Sequence, residues 1–188
     1  MTGMAGEVAE SVTGVFSGDL EYARGLIREI PDFPEPGVLF RDISPVLADP
    51  RGFRAVVDTL AAQAAEADLV VGVEARGFLL GAAVAYARGV GVVGIRKPGK
   101  LPVVAHRVEY TLEYGTATLE LPADTIEAGQ RVLVVDDVLA TGGTVAATCE
   151  LVRHAGAQVT GVAVVLELLA LGGRERLAPE RVDTLFSF

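Results

Sequence analysis

Residues 131–144 read RVLVVDDVLATGGT, and the order of residue types in this stretch decides the fold. Val132, Leu133, Val134 and Val135 form an apolar run without polar alternation, the pattern of a strand buried on both faces in a parallel sheet covered by helices. Two adjacent carboxylates, Asp136 and Asp137, follow at the C-terminal end of that strand, read as Arg131–Val135. Thr141, Gly142, Gly143 and Thr144 then make a turn that opens a helix over Thr144–His154. In open α/β sheets, ligands bind where strands end and helices begin.

The chemistry of that junction is specific. Unpaired N–H groups at a helix N-terminus suit a phosphate, and glycines let the backbone approach its oxygens. Thr141 and Thr144 add hydroxyl donors. Asp136 and Asp137 would repel a bare phosphate unless the ligand also carried hydroxyl donors or a metal. A phosphorylated ribose offers both, through its 2′ and 3′ hydroxyls and a Mg²⁺ bridging them. Two other phosphate patterns are excluded. Gly89, Gly91 and Gly94 spell G-x-G-x-x-G but follow a helix and lead into a strand, the reverse of the dinucleotide-binding order. The 134–144 loop lacks the lysine that the P-loop pattern requires after its second glycine.

On either side, strands and helices alternate. The pattern predicts strands at Asp68–Val73, Val90–Ile95 and Gln158–Leu166, and helices at Phe53–Ala67 and Phe78–Ala87. Leu20, Ala23, Leu26, Ile27 and Ile30 recur at helical spacing, with Ser17 or Asp19 able to cap the start and Pro31 the end. The stretch 31–50 holds five of the nine prolines, yet its Val38, Leu39, Phe40 and Ile43 are too apolar for a solvated linker, so an ordered loop is expected. Between Val108 and Leu121 the residues alternate around Tyr114-Gly115, predicting a hairpin standing apart from the parallel core.

Composition narrows the setting. With 188 residues, 51% of them apolar, the chain can form one domain with a substantial core. A formal net charge of −9 argues against binding nucleic acid or an anionic membrane, so a phosphate must be held by a local site. Cys149, the only cysteine, excludes an internal disulfide and suits a reducing compartment. The N-terminus, MTGMAGEVAESVTG, lacks the basic and apolar regions of a secretory signal. Residues 1–18 are expected to form a mobile tail, with Met4 an alternative start. The apolar run Gly77–Ala87 falls short of the roughly 20 residues a bilayer requires. A cytoplasmic protein is expected. His106 and His154 lack metal-ligand spacing, and Cys149 reads as a small buried residue.

DDVLATGGT at 136–144 resembles the phosphoribosyl-pyrophosphate (PRPP) motif of the type I phosphoribosyltransferases. PDFPEPGVLFRDISPVL (31–47), GVEARGFLLGAAVA (72–85), RKPGKLP (96–102) and YTLEYG (110–115) narrow the resemblance to the adenine-using members. It runs from Ile27 to Ala178. It implies an α/β fold with a mostly parallel twisted sheet flanked by helices, a small N-terminal hood near 31–47 and a flexible flap near 97–121. These would belong to a single domain over 19–188. The implied reaction joins adenine to PRPP, giving AMP and pyrophosphate, with Mg²⁺ held mainly through PRPP and a homodimer as the working form.

Site roles follow from the same resemblance. Asp136, Asp137, Ala140, Thr141, Gly142, Gly143 and Thr144 would hold the phosphate and ribose of PRPP. Glu74, Ala75, Arg76, Arg96, Lys97 and Lys100 would meet the leaving pyrophosphate, with a cis peptide at Glu74–Ala75 and some basic residues reaching across the dimer. Leu39, Phe40 and Arg41 would hold adenine, by stacking and by backbone groups that read its edge. Glu113, Arg76 and Tyr114 would serve catalysis, Glu113 by accepting or shuttling the purine ring proton on a flap that excludes water. Each residue also has a plainer reading: Glu74 and Arg76 as a surface pair, Arg96–Lys100 as a solvated basic turn, Phe40 as core, Glu113 as a hairpin charge. Rival functions are transfer to another base, such as hypoxanthine, xanthine or orotate, and a non-catalytic PRPP-sensing regulator. The second would need a basic face or an added DNA-binding domain.

Overall fold

The computed structural model describes residues 18–111 and 115–188. The chain divides into two compact units, Met1–Thr59 and Leu60–Phe188.

In the first unit, helix α1 covers residues 18–25. Periodicity alone extends it to Ile30, but the N–H groups of Leu26 and Ile27 turn back to Ala23 and Arg24 and the helix stops. Strand β1 (Arg28–Pro31) instead pairs antiparallel with β2 (Leu39–Asp42), a long-range pairing that helical spacing cannot register. Arg28 lies 2.6 Å from Asp42 across the pair. The Ser44 hydroxyl and N–H, and then Arg28, hold the Asp42 carboxyl down at about 2. The proline-rich stretch is thus ordered, but it contains a strand and a short helix, α2 (Ser44–Ala48), rather than loop throughout. Helix α3 (Pro50–Gln63) starts earlier than the expected Phe53, because Asp49 Oδ1 accepts the N–H groups of Arg51 and Gly52 at 3.0 and 2.7 Å. Pro50 fits the first turn, where its missing N–H would have no partner anyway. Asp19 does not cap α1; it lies inside that helix and pairs with Arg51 at 2.6 Å. Ser17, the other candidate cap, lies outside the described residues.

The second unit is a five-stranded, all-parallel sheet in the order β4-β3-β7-β8-β9. Its elements in chain order are β3 (Leu69–Val73), α4 (Arg76–Arg88), β4 (Gly91–Ile95), β5 (Val104–Thr111), β6 (Thr116–Pro122), β7 (Arg131–Leu139), α5 (Gly143–His154), β8 (Gln158–Glu167), a 3₁₀ turn at Leu169–Leu171, α6 (Gly173–Arg176) and β9 (Val182–Ser187). Every residue of β3 is buried, as its unbroken apolar run requires. Helix α4 packs on β3 and β7. Its first turn comes so close that a Cβ on Gly77 would stand 2.9 Å from both Asp136 Oδ1 and Val135 O. Helix α5 joins the core through Val145, Ala147, Cys149, Leu151 and Val152, against Val71, Val132, Val134 and Val164 of the sheet.

Two expectations for this unit change. Strand β7 does not stop at Val135 but runs on to Leu139, so the two aspartates lie within the strand, in register with β8 at Asp136↔Val164. The hairpin β5–β6 does form a separate two-stranded sheet. It does not stand apart from the core, because Val108, Leu119 and Leu121 are buried in it. Its root is also tied down by backbone bonds between Arg96 and Glu120 at 3.0 and 2.7 Å.

Candidate active site

A cavity of about 410 Å³ opens at the C-terminal ends of β3 and β7. One wall is the run from Asp136 to Val145; the other is Glu74, Ala75 and Arg76 with Lys97. The sheet brings these together because β3 and β7 are parallel neighbours, so both end on the same edge. The peptide between Glu74 and Ala75 is cis, as the resemblance implied.

The aspartates behave differently from each other. Asp136 is 7% exposed, and its Oδ1 accepts the Asp137 N–H at 2.8 Å. Burial first, and then the charge of Asp137, push the Asp136 carboxyl well above the ordinary carboxylate range. Asp137 has a cation, Arg76, at 2.7 Å. The pair thus presents carboxylate oxygens to the cavity at a place too dry to solvate two charges, which is an environment ready for hydroxyl donors.

Gly142, at φ 77°, makes the left-handed turn that leads into α5. The first turn of α5 carries no acidic residue, so its N–H groups and dipole remain available to an anion. Thr141, Gly142, Gly143 and Thr144 all line the cavity. Across it, Tyr110 on β5 places its hydroxyl 3.2 Å from Thr144 Oγ1.

Of the basic residues expected here, Lys97 lines the cavity, whereas Arg96 and Lys100 are not among its lining residues. Arg96 turns its Nε to Glu74 at 3.1 Å and lies over the Phe78 ring, 5.4 Å from its centroid. Glu74 also accepts the Lys97 N–H at 2.8 Å. That bond first, and then Arg96, lower its carboxyl pKa. Glu74 is therefore a brace between the end of β3 and the basic turn. Leu39, Phe40 and Arg41 lie in β2 of the N-terminal unit, where Leu39 is exposed, Phe40 meets Phe33 edge-on at 5.1 Å and Arg41 pairs with Glu29 at 3.5 Å. Glu113 and Tyr114 lie outside the described residues.

Sequence reasoning did not assign Tyr110, Ala117 or Leu119 to the site, yet all three line it from the hairpin. The signal was present, since the alternation Val108, Tyr110 sets Tyr110 on the same face as buried Val108. Cys149 is buried as expected, and burial pushes its thiol up to about 12.

Residues 46–185 match the family model described as phosphoribosyl transferase domain. The chain is 70% identical over 169 residues to the adenine phosphoribosyltransferase of Saccharopolyspora erythraea, covering 90% of this chain and 92% of that protein. The adenine phosphoribosyltransferase of Mycolicibacterium vanbaalenii is 60% identical over 165 residues, 87% of this chain and 95% of that protein. Among solved structures, the enzyme of that name from Thermoanaerobacter pseudethanolicus aligns with TM-score 0.87 and 47% identity, covering 90% of this chain and 99% of that one. The Saccharomyces cerevisiae enzyme, solved with an imino-altritol bisphosphate and adenine, aligns with TM-score 0.86 and 36% identity over 90% of this chain and 99% of that one.

Proposed function

The chain belongs to the phosphoribosyl transferase family and, within it, to the adenine phosphoribosyltransferases, and from this premise we infer how its residues divide the work. It transfers the 5-phosphoribosyl group of PRPP to adenine, giving AMP and pyrophosphate, a purine-salvage reaction. The observation that carries our site assignment is the placement of Asp136 and Asp137 in one cavity with the N-terminus of α5.

In this reading the 5′-phosphate takes the N–H groups and hydroxyls of Ala140–Thr144. Asp136 and Asp137 accept from the ribose 2′ and 3′ hydroxyls. The pyrophosphate meets Arg76 and Lys97, with Glu74 bracing the basic turn that also carries Arg96 and Lys100. Leu39, Phe40 and Arg41 read the base. A purine nitrogen bonds to the anomeric carbon as its bond to pyrophosphate breaks, and the purine ring proton passes to Glu113. Tyr114 covers the site, and Arg76 offsets charge growing on the leaving group. Among the described residues, no group of three His, Cys, Asp or Glu side chains is set to ligate a metal. The hard carboxylate oxygens of Asp136 and Asp137 nonetheless suit Mg²⁺ arriving on PRPP, where the ion would neutralise pyrophosphate charge.

The test is PRPP-dependent conversion of labelled adenine, hypoxanthine and guanine, with and without Mg²⁺. Adenine presents an acceptor at N1 and a donor at its 6-amino group, and the other two bases reverse both. Two mispaired contacts imply a preference of at least about a hundredfold in kcat/KM. Comparable turnover of hypoxanthine would overturn the assigned basis of base choice.

A homodimer is also proposed. Leu79 (58% exposed) and Tyr86 (90% exposed) stand out from α4, and Val92 (47% exposed) from the edge strand β4. Sedimentation at assay concentration is expected to report two copies; a fully active monomer would refute it. The proposed setting is the cytoplasm: among the described residues no helix is long and apolar enough to cross a membrane, and Cys149 is unpaired. Cell fractionation that placed the protein outside the cytosol would contradict this.

A further inference from the structure

The phosphate-loop turn is seated on a part of the chain distant in sequence. Beyond β8, Gly173 at the start of α6 lies backbone to backbone with it. A Cβ on Gly142 would meet Gly173 O at 2.6 Å, and one on Gly173 would meet Ala140 O at 2.2 Å. No side chain fits between the two segments, so the position of α6 sets the position of the turn.

Arg174 holds α6 through hydrogen bonds to three residues. Its Nε and Nη2 donate to the two oxygens of Glu167 at 2.9 and 2.5 Å, its Nη1 to Val182 O at 2.7 Å, and its Nη2 to Thr184 Oγ1 at 3.1 Å. Glu167 is buried, is the last residue of β8 and lies in register with Leu139, the last residue of β7. The Leu168 N–H also donates to Leu139 O at 2.9 Å. Arg174 therefore ties α6 to the sheet edge from which the 140–143 turn departs, and its side chain, 48% exposed, achieves this from the rim of the molecule. The planar fork suits a two-oxygen grip that an ammonium cannot reproduce.

We propose that Arg174, acting through Gly173, is a positioning residue for the phosphate loop: it fixes the height of Ala140–Gly142 and so the spacing of the N–H groups that receive the 5′-phosphate. This rests on reading the cavity as the PRPP and AMP site.

The test compares two ligands that share the cavity but not the loop. AMP carries the 5′-phosphate, whereas inorganic pyrophosphate belongs to the Glu74–Arg76 turn. In the full chain, Gly173→Ala and Arg174→Lys are expected to raise the KM for PRPP and the inhibition constant of AMP about 10- to 100-fold, because small displacements of an oriented site are costly. Inhibition by pyrophosphate and the KM for adenine should stay within about twofold, since neither ligand uses the displaced N–H groups. Arg174→Lys keeps a charge beside Glu167 and decides the matter if Gly173→Ala does not fold. Unchanged AMP and PRPP constants in a variant with a cooperative melt would overturn the proposal. So would equal losses for AMP and pyrophosphate, the mark of general loosening. A wild-type chain that failed to bind AMP would overturn the site assignment itself, a result distinguishable because it precedes any substitution.

Discussion

Replacing both Asp136 and Asp137 with Asn weakens Mg–PRPP binding by about 10–10³-fold, because Asp137 loses a charge-assisted bond to a ribose hydroxyl of about 1.5–3 kcal/mol and Asp136, whose carboxyl burial holds toward its protonated form, loses an uncharged one of about 0.5–1.5 kcal/mol. The fold survives. Asn at 136 keeps an oxygen for the Asp137 N–H, now at 2.8 Å, and removes a carboxyl whose ionisation burial opposes. The sign follows from that raised value. The native state holds its proton above the unfolded value, so stability contributed at Asp136 falls as pH rises past about 4. Removing the acid therefore lifts this penalty at neutral pH. Asn at 137 gives up the ion pair with Arg76, whose side chain is 36% exposed and is resolvated when released. The double variant should melt no lower than the wild type at pH 7 while titrating weakly with Mg–PRPP in a calorimeter. Affinity equal to wild type would remove the ribose from these residues.

Glu113→Gln carries the other large expected effect, a loss of about 10²–10⁴-fold in kcat with PRPP binding nearly unchanged. Glutamine preserves shape and some hydrogen bonding but cannot take the purine proton. Tyr114→Phe should cost less, because the ring still covers the site. Product release limits turnover in many lidded enzymes, so single-turnover kinetics is the measurement. A Glu113→Gln chain with wild-type single-turnover rate would return Glu113 to an ordinary hairpin charge.

How much of this was legible before the structure depends on the range of the forces involved. The parallel sheet was readable from unbroken apolar runs such as Leu69–Val73, because burial on both faces leaves no polar alternation. The Asp136–Thr144 side of the cavity was readable because strand, turn and helix N-terminus are contiguous in sequence. The β1 strand was not. Leu20–Ile30 has helical spacing, and only pairing with Leu39–Asp42 turns its end into a strand. The two sides of the cavity meet through the β3–β7 pairing, which local pattern cannot state. The hairpin's apolar face read as a flap standing free, yet Val108, Leu119 and Leu121 sit in the core. The support of the phosphate loop by Gly173 and Arg174 left no local trace, since GGRER is indistinguishable from a solvated helical turn until Glu167 and Ala140 are brought to it.

In the proposed arrangement one cavity holds the phosphoribosyl group between the Asp136–Asp137 pair and the head of α5. A crystal structure of the protein with AMP is the decisive measurement. The 5′-phosphate is expected within hydrogen-bond distance of the N–H groups of Thr141–Thr144, and the ribose 2′ and 3′ hydroxyls are expected to donate to Asp136 and Asp137. A phosphate bound elsewhere, or a ribose whose hydroxyls turn away from both carboxylates, would contradict it.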